Sequence, residues 1–289
     1  MRALAYCAPA LLAISGVALF PLAYTLWESL HLHDLRMPWR GRPFIGFANY
    51  VEAFSDERFW GALVHTTVFA LVSVSLELVL GLGLALLLHR RFFGRGVART
   101  MALLPWAMPT VVVALVWRFL FEPSGAIDAV SIGLGLTDEP PLWLSDATLA
   151  WVPIVLADVW KTTPFVALLL LAGLSGVEPA LYEAARIDGA GRFATLWHVT
   201  LPALRPTLAV TLVFRSVDAL RVFDLIFVLT SGGPGTATEP LAMYSFVALL
   251  RNLRFGYGSA LAVIVFVLTL ALSLVYMRLA RRTLLEDER

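Results

Sequence analysis

Six long apolar runs alternate with short polar segments along the chain, at residues 3–30, 61–88, 100–121, 148–174, 206–230 and 257–279. Each matches or exceeds the roughly 20 mainly apolar residues that an α-helix needs to cross a bilayer. The pattern predicts an all-α membrane protein of six transmembrane helices, organised as a single domain over 1–289. The first run begins almost at Met1 and holds Pro9 and Pro21. No small-residue cleavage site follows a short apolar core, so it reads as a first span and not as a cleaved signal. Pro105 and Pro109 predict a kink in the third run, tolerable where neighbouring helices re-satisfy the freed carbonyls. Residues 31–60 read as polar and turn-rich. Their Trp39, Phe44, Phe47, Tyr50, Phe59 and Trp60 suit a membrane-interface belt.

Composition changes this picture little. Hydrophobic residues make up 59% of the chain and charged residues 15%, against about 25% charged in a soluble domain. The solvent is therefore lipid. A net charge of +1 lacks the strongly basic face that a nucleic-acid partner requires. Cys7 is the only cysteine, which excludes an intramolecular disulfide and a multi-thiolate metal site. Leu4-Ala5-Tyr6-Cys7 is faintly like a bacterial lipidation signal, but Tyr6 is too large for it, and Cys7 reads as an inert buried thiol. Arginines gather at 90–99, at Arg186, Arg192 and Arg205, and at Arg278, Arg281 and Arg282. Residues 122–149 contain no Lys or Arg, while Arg36, Arg40, Arg42 and Arg58 form the one opposing group. The positive-inside rule then predicts both termini and the 175–205 loop in the cytoplasm.

That loop is a polar, small-residue island between two apolar runs. Pro179 after Glu178 predicts a helix over 179–187, ended by Asp188-Gly189. A second helix is predicted from about Ala190 to Thr200, with Phe193, Leu196, Trp197 and Leu201 as its apolar face and Pro202 and Pro206 as its stop. Small Ala184, Ala185 and Gly189 suit close approach to a partner. An interfacial helix pair capping the bundle, with Glu183 and Arg186 as a surface pair, fits the same residues.

Charges within the apolar runs are expensive and should face a partner or a water-filled path. Glu28 and Arg118 lie near run ends and are expected to snorkel; Glu77 reads as a helix-packing contact. Arg215, Asp218, Arg221 and Asp224 recur every three residues with alternating sign, which suits either a self-neutralising brace or a polar wall. Asp158, Lys161, Thr162 and Phe165 share one face of the fourth run. An acid, a base, a hydroxyl and an aromatic together suit a hydroxyl-rich solute.

The spacing Glu183-Ala184-Ala185, Gly189, Val199-Thr200-Leu201-Pro202 resembles the EAA motif of binding-protein-dependent ABC importer permeases. Phe223 to Pro234 is similar to the segment closing the fifth core helix of the sugar-importer branch, and Gly46-Phe47-Ala48-Asn49-Tyr50 to its G-x-x-N-Y. The resemblance covers nearly the whole chain and is to the MalF-type sugar permeases. Within them Val159 to Phe165 looks most like the trehalose-importer permeases of mycobacteria. His65 stands where the family commonly has Asn. The resemblance implies a type I ABC importer permease fold in the bacterial inner membrane. It implies that Glu183, Ala184, Ala185, Asp188 and Gly189 couple to an ATPase. Positions lining the sugar in maltose-type permeases fall here at Asp158, Lys161, Thr162, Phe165, Arg215, Asp218, Ala219 and Val222. Asp158 and Thr162 replace the Asn and Gly of the maltose branch.

The implied partners are a second homologous permease, an ATP-binding cassette ATPase dimer, an extracytoplasmic sugar-binding protein and membrane lipid. No G-x-x-x-x-G-K-[ST] phosphate loop is present, so the chain itself is not the ATP-binding subunit. ATP and Mg are expected on the partner ATPase, with no cofactor, metal or catalytic residue in this chain. A disaccharide such as trehalose or maltose is the expected cargo. Glycerol phosphate or another polyol is an alternative within the same class, although the near-balanced charges favour a neutral solute. An ion-coupled secondary transporter, using the buried acids and arginines as a relay, is an alternative of another class. A polytopic enzyme would need an acidic cluster near an interface; Asp138-Glu139 and Asp56-Glu57 have no His or Cys arranged around them.

Overall fold

The computed structural model of the chain describes residues 14–135 and 137–286, with side chains to Arg278. Cys7, Pro9 and the beginning of the first apolar run lie outside the described residues, as does the tail from Asp287. The described residues are helical, with two isolated β-bridges (His31 to Phe44, Asp34 to Arg254) and no strand. Two compact units are present: residues up to His65 with Glu239–Thr269, and Thr66–Thr238 with the residues from Leu270. Among the described residues, four helical stretches are long and apolar enough to cross a membrane: Glu57–His89, Thr110–Gly133, Trp151–Ser175 and Phe255–Arg278.

In the first unit, α1 (Phe20–Ser29) follows a π-helical turn, Ser15–Leu19. Helix α2 (Ala48–Ser55) lies within the segment that reads as polar and turn-rich. The G-x-x-N-Y residues explain its position. Gly46 takes a positive φ of 58°. Asn49 then donates to the carbonyls of Ser29 at 2.8 Å and His31 at 3.1 Å, and the Tyr50 and Ser29 hydroxyls bond at 2.7 Å. One side-chain amide thus satisfies the carbonyl of Ser29, the last residue of α1, and that of His31 just beyond it. A Cβ on Gly256 would collide with the His31 carbonyl, so close backbone approach requires glycine there.

Helix α3 (Glu57–His89) begins in this unit. Phe59 packs with Ala53, Leu241, Tyr244, Tyr257 and Leu261 in a buried cluster. Phe59 is therefore core and not part of an interface belt, whereas Trp39, Phe44, Phe47 and Trp60 are exposed. Glu28 does not snorkel. It is buried and bonded to His33, whose ring stacks on Phe255, because the α1–α2 connection folds back over it. Arg58 forks onto Glu239 at 2.7 and 2.8 Å and lies 4.7 Å from the Tyr244 ring centroid. His65, standing where the family commonly has Asn, bonds the Glu239 carbonyl at 3.1 Å. Burial pushes the Asp56 carboxyl up, but donors from Tyr244, the Arg58 amide and Tyr257 outweigh it and hold the group below its ordinary 3.8.

In the second unit, the third apolar run is split. Helix α4 (Arg95–Ala107) ends before Pro109, and α5 (Thr110–Phe121) starts after it, followed by α6 (Ala126–Gly133). Proline removes the donor and disfavours helix at the preceding Met108, which is extended (φ −74°, ψ 141°). Helix α7 (Trp151–Ser175) is continuous. Helix α8 (Pro179–Ile187) has the predicted bounds. Beyond it the helix does not stop at Pro202. Helix α9 (Arg192–Thr195), a π-helical turn (Leu196–Thr200) and α10 (Leu201–Ala219) follow without a gap. The π turn, closed by the Leu201 amide on the Leu196 carbonyl, sits directly ahead of Pro202 and relieves its ring.

The fifth apolar run was expected to be one helix. Instead α10 ends at Ala219 and α11 (Asp224–Leu229) starts after a four-residue break. The remaining helices are α12 (Leu241–Phe246), extended by a π turn to Arg251, and α13 (Phe255–Glu286). Ala85 and Leu88 of α3, Leu170 and Leu174 of α7 and Leu204 of α10 share a buried cluster, with Ala98 and Ala102 of α4 against it. The end of α3, the start of α4, the end of α7 and the start of α10 therefore lie at one end of this unit.

Candidate functional site

The break between α10 and α11 opens onto a cavity of about 130 Å³, and the first residue of α5, next to the Met108-Pro109 break, borders the same cavity. Thr110 follows the first break. Asp218 and Ala219 end α10; Arg221, Val222 and Phe223 form the second break; Asp224 and Leu225 begin α11. Asp158, Lys161 and Thr162 of α7 complete the lining. Non-helical backbone at membrane depth is tolerated where it is buried in protein or lines a cavity. The break at 220–223 meets that condition.

Of the eight lining residues expected from the sequence, six border this cavity: Asp158, Lys161, Thr162, Asp218, Ala219 and Val222. Phe165 does not. Its ring stacks on Trp106 at 5.4 Å, which fixes α7 to α4. Arg215 does not either; it lies behind the wall, with 3% of its side chain exposed. Its Nε donates to Glu77 Oε2 at 2.5 Å and its Nη2 to Glu77 Oε1 at 2.7 Å. The same Nη2 reaches Asp158 at 3.4 Å, and Nη1 pairs with Asp218. Thr162 Oγ1 donates to Glu77 Oε1 at 2.5 Å and lies 2.6 Å from the Asp158 carbonyl. One guanidinium thereby holds three carboxylates from three helices, and two of those carboxylates face the cavity. A planar fork with five donors suits this role; a lysine would not.

The every-third-residue ladder is thus only partly realised. Among the described residues the Arg215–Asp218 step is an ion pair, and the break removes Arg221 and Asp224 from the helical register. The sequence reading missed Thr110, Phe223 and Leu225 as lining residues; it expected Glu77 to be a helix-packing contact, as it is, but not to be the anchor of Arg215. A glutamate deep in an apolar run was the only available signal for the last. A larger cavity, about 340 Å³, lies at Arg118, Glu122, Leu144 and Ser231. Its opposite charges neutralise each other at 3.4 Å and it contains none of the expected site residues, so the smaller cavity is the better candidate.

The α8 segment carries the other group of site residues expected from the sequence. Gly189 takes φ +76°, the Ala190 amide donates to the Ala185 carbonyl at 2.8 Å, and the Gly189 amide to Arg186 at 3.1 Å. These are the paired bonds of a Schellman ending. The conformation alone accounts for glycine here, since a Cβ would meet open space. Ala185 is buried, whereas Glu183, Ala184, Asp188 and Gly189 are exposed. Ile187 is 86% exposed beside exposed Phe193 and Trp197, leaving an unpartnered apolar surface on this isolated chain.

Residues 77–285 match the family described as binding-protein-dependent transport system inner membrane component. The chain belongs to this family. It is a multi-pass inner-membrane permease subunit with the type I ABC importer permease fold. The trehalose/maltose transport system permease protein MalF of Thermococcus litoralis is 44% identical over 94% of this chain and 91% of its own. The trehalose transport permease SugA of Mycobacterium tuberculosis is 39% identical over 94% and 86%. The sulfoquinovosyl glycerol transport permease SmoG of Agrobacterium fabrum is 39% identical over 95% and 88%. A chain of a bacterial ABC transporter involved in import of the acidic polysaccharide alginate superposes with a TM-score of 0.82, at 25% identity over 96% of this permease and 94% of that chain.

Proposed function

We propose that this permease is the transmembrane subunit of an ATP-driven saccharide importer, with a neutral disaccharide of the trehalose or maltose kind as its cargo. The carrying observation is the cavity at the 220–223 break, walled by Asp158, Lys161, Thr162 and Asp218. Hydroxyl-rich solutes need many fixed donors and acceptors, and discontinuous helices supply them at mid-membrane in other transporters. The cavity residues carry three acids (Asp158, Asp218, Asp224) and two bases (Lys161, Arg221), a formal charge of −1. That balance disfavours a sulfonated, phosphorylated or uronic cargo, even though the relatives include carriers named for sulfoquinovosyl glycerol and alginate. At about 130 Å³ the cavity is below the roughly 300 Å³ of small ligand pockets, so a second permease completes it.

The α8 surface is the motor contact. On this reading Glu183, Ala184, Ala185, Asp188 and Gly189 dock in an ATPase subunit on the cytoplasmic side, which binds ATP and Mg. Residues 192–219 are helical without a gap from this surface to the cavity edge at Asp218, about 40 Å at 1.5 Å per residue. A push at α8 is thereby transmitted to the break at 220–223. A binding protein delivers the sugar from the other side. No bond in the sugar changes.

The test is Glu183→Lys with Gly189→Asp in the complex reconstituted with its ATPase, second permease and binding protein. Sugar-stimulated ATP hydrolysis is expected to vanish while the binding protein still loads sugar normally. Unchanged stimulation would remove the coupling role. Uptake that persists without ATPase and collapses with an uncoupler would favour an ion-coupled carrier instead.

A further inference from the structure

Eleven residues, His89-Arg90-Arg91-Phe92-Phe93-Gly94-Arg95-Gly96-Val97-Ala98-Arg99, span the junction of α3 and α4, with 90–94 as the connection, and contain four arginines, one histidine and no acid. The transport reading leaves them without a role. Arg90, Arg91 and Arg95 form no ion pair among the described residues. Arg99 differs, because its Nη2 caps the Leu88 carbonyl at 3.1 Å and so closes the end of α3. Arg95 lies in the first turn of α4, where the helix dipole disfavours a cation. Local stability therefore does not account for it. Between the arginines stand two phenylalanines. Phe93 is 105% exposed and Phe92 is exposed beside it. Gly94 turns the chain at φ +79°, so the pair forms the tip of the connection.

The position of this tip is informative. It follows directly on the 33-residue apolar helix α3, and the shared Leu88–Leu174–Leu204 cluster puts it at the same end of the unit as α8. A bare aromatic pair flanked by arginines, at the place where a spanning helix leaves the bilayer, has the chemistry of an interfacial anchor. Arginines immediately outside a spanning helix are attracted to an anionic leaflet, and their forked donors match phosphate oxygens. We infer that residues 90–95 form an anionic-lipid anchor, in which Phe92 and Phe93 enter the boundary between headgroups and acyl chains while Arg90, Arg91 and Arg95 bind lipid phosphates. The occupant is the membrane itself and not free phosphate, because the phenylalanines offer nothing to a soluble anion. The anchor holds the α3–α4 connection to the leaflet beside the moving α8 surface.

The test uses the assembled transporter in nanodiscs, with Phe93→Cys in a Cys7→Ser background and an environment-sensitive fluorophore on the new thiol. Lipids carrying a quencher near the headgroup are expected to quench it, more strongly when about a quarter of the lipid is phosphatidylglycerol than in phosphatidylcholine alone. Arg90→Gln, Arg91→Gln and Arg95→Gln together should abolish the difference. Each arginine contributes roughly fivefold to leaflet affinity, so the inserted-to-free ratio should fall on the order of a hundredfold. Equal quenching in both lipids would overturn the inference. So would a label that is shielded only when the ATPase subunits are present, since the loop would then be a protein contact. Native mass spectrometry of the complex with an otherwise unaltered chain gives an independent reading. Fewer retained phosphatidylglycerol molecules in the triple-arginine variant support the anchor, and an unchanged number contradicts it.

Discussion

In each unit of the permease an arginine sets two of its nitrogens on one glutamate, Arg58 on Glu239 and Arg215 on Glu77, and the two pairs do different things. In the first unit Arg58 grips Glu239, stays 35% exposed, and finishes against Tyr244. The contact closes on itself between α3 and the segment before α12. In the second unit Arg215 grips Glu77 in full burial, then spends its remaining donors on Asp158 and Asp218 at the cavity wall. The same chemistry is a brace in one place and a scaffold for a polar site in the other. What separates them is burial and the number of carboxylates left to orient.

The largest separation should come from removing each arginine. Arg215→Met leaves Glu77 buried and unpaired, a loss of about 3–5 kcal/mol, seen as a lower unfolding temperature of the purified complex. Arg58→Met should cost less, about 1–3 kcal/mol, because Arg58 is 35% exposed and water can take its place at the Glu239 carboxylate, although that carboxylate is itself only 4% exposed. Adding Glu77→Met to Arg215→Met should restore much of the stability without restoring uptake. Equal losses for the two single variants would mean that both pairs are braces of the same kind.

A smaller effect is expected at Gly189. Gly189→Ala forces an alanine to φ +76° and should weaken the α8 ending by about 1–2 kcal/mol. Hydrogen exchange at the Gly189 and Ala190 amides should rise, with both pairs unaffected. The smallest is a pH effect in the first unit. The Asp56 carboxyl is held below 3.8, so its contribution to stability is complete above about pH 4 and is lost only as pH falls through the lowered value. Asp56→Asn should remove that dependence and little else.

The features legible in the sequence were local ones. The bounds of α8 followed from Pro179 at its start and Gly189 past its end, two residues whose backbone preferences act without the rest of the fold. The apolar runs behind α3, α7 and α13 were legible for the same reason. The break at 220–223 was not, because Leu220, Val222 and Phe223 carry no Gly or Pro and continue an apolar pattern. Only Asp224, an acid in the first turn of α11, hinted at a new helix start. The Glu77–Arg215 pair was hidden by a separation of 138 residues. Counting every third residue along one helix pointed instead to a ladder, since sequence neighbours are the only partners such a count can see. The continuous helix through Pro202 was concealed because a π turn ahead of it changes what a proline can do.

The central claim is that Asp158 and Asp218 present a cavity wall to a saccharide while Arg215 and Glu77 merely hold it. Asp218 has 73% of its side chain exposed, so Asp218→Asn should leave the fold and the Glu77–Arg215 pair intact. The decisive measurement is uptake of radiolabelled disaccharide into proteoliposomes by the Asp218→Asn and Asp158→Asn complexes, with thermal stability and binding-protein affinity followed in parallel. At least a tenfold fall in uptake (about 1.4 kcal/mol of lost interaction) is expected, with the Asp218→Asn complex as stable as the unaltered one. Full uptake by both variants would contradict it and leave the charged cluster as a brace alone.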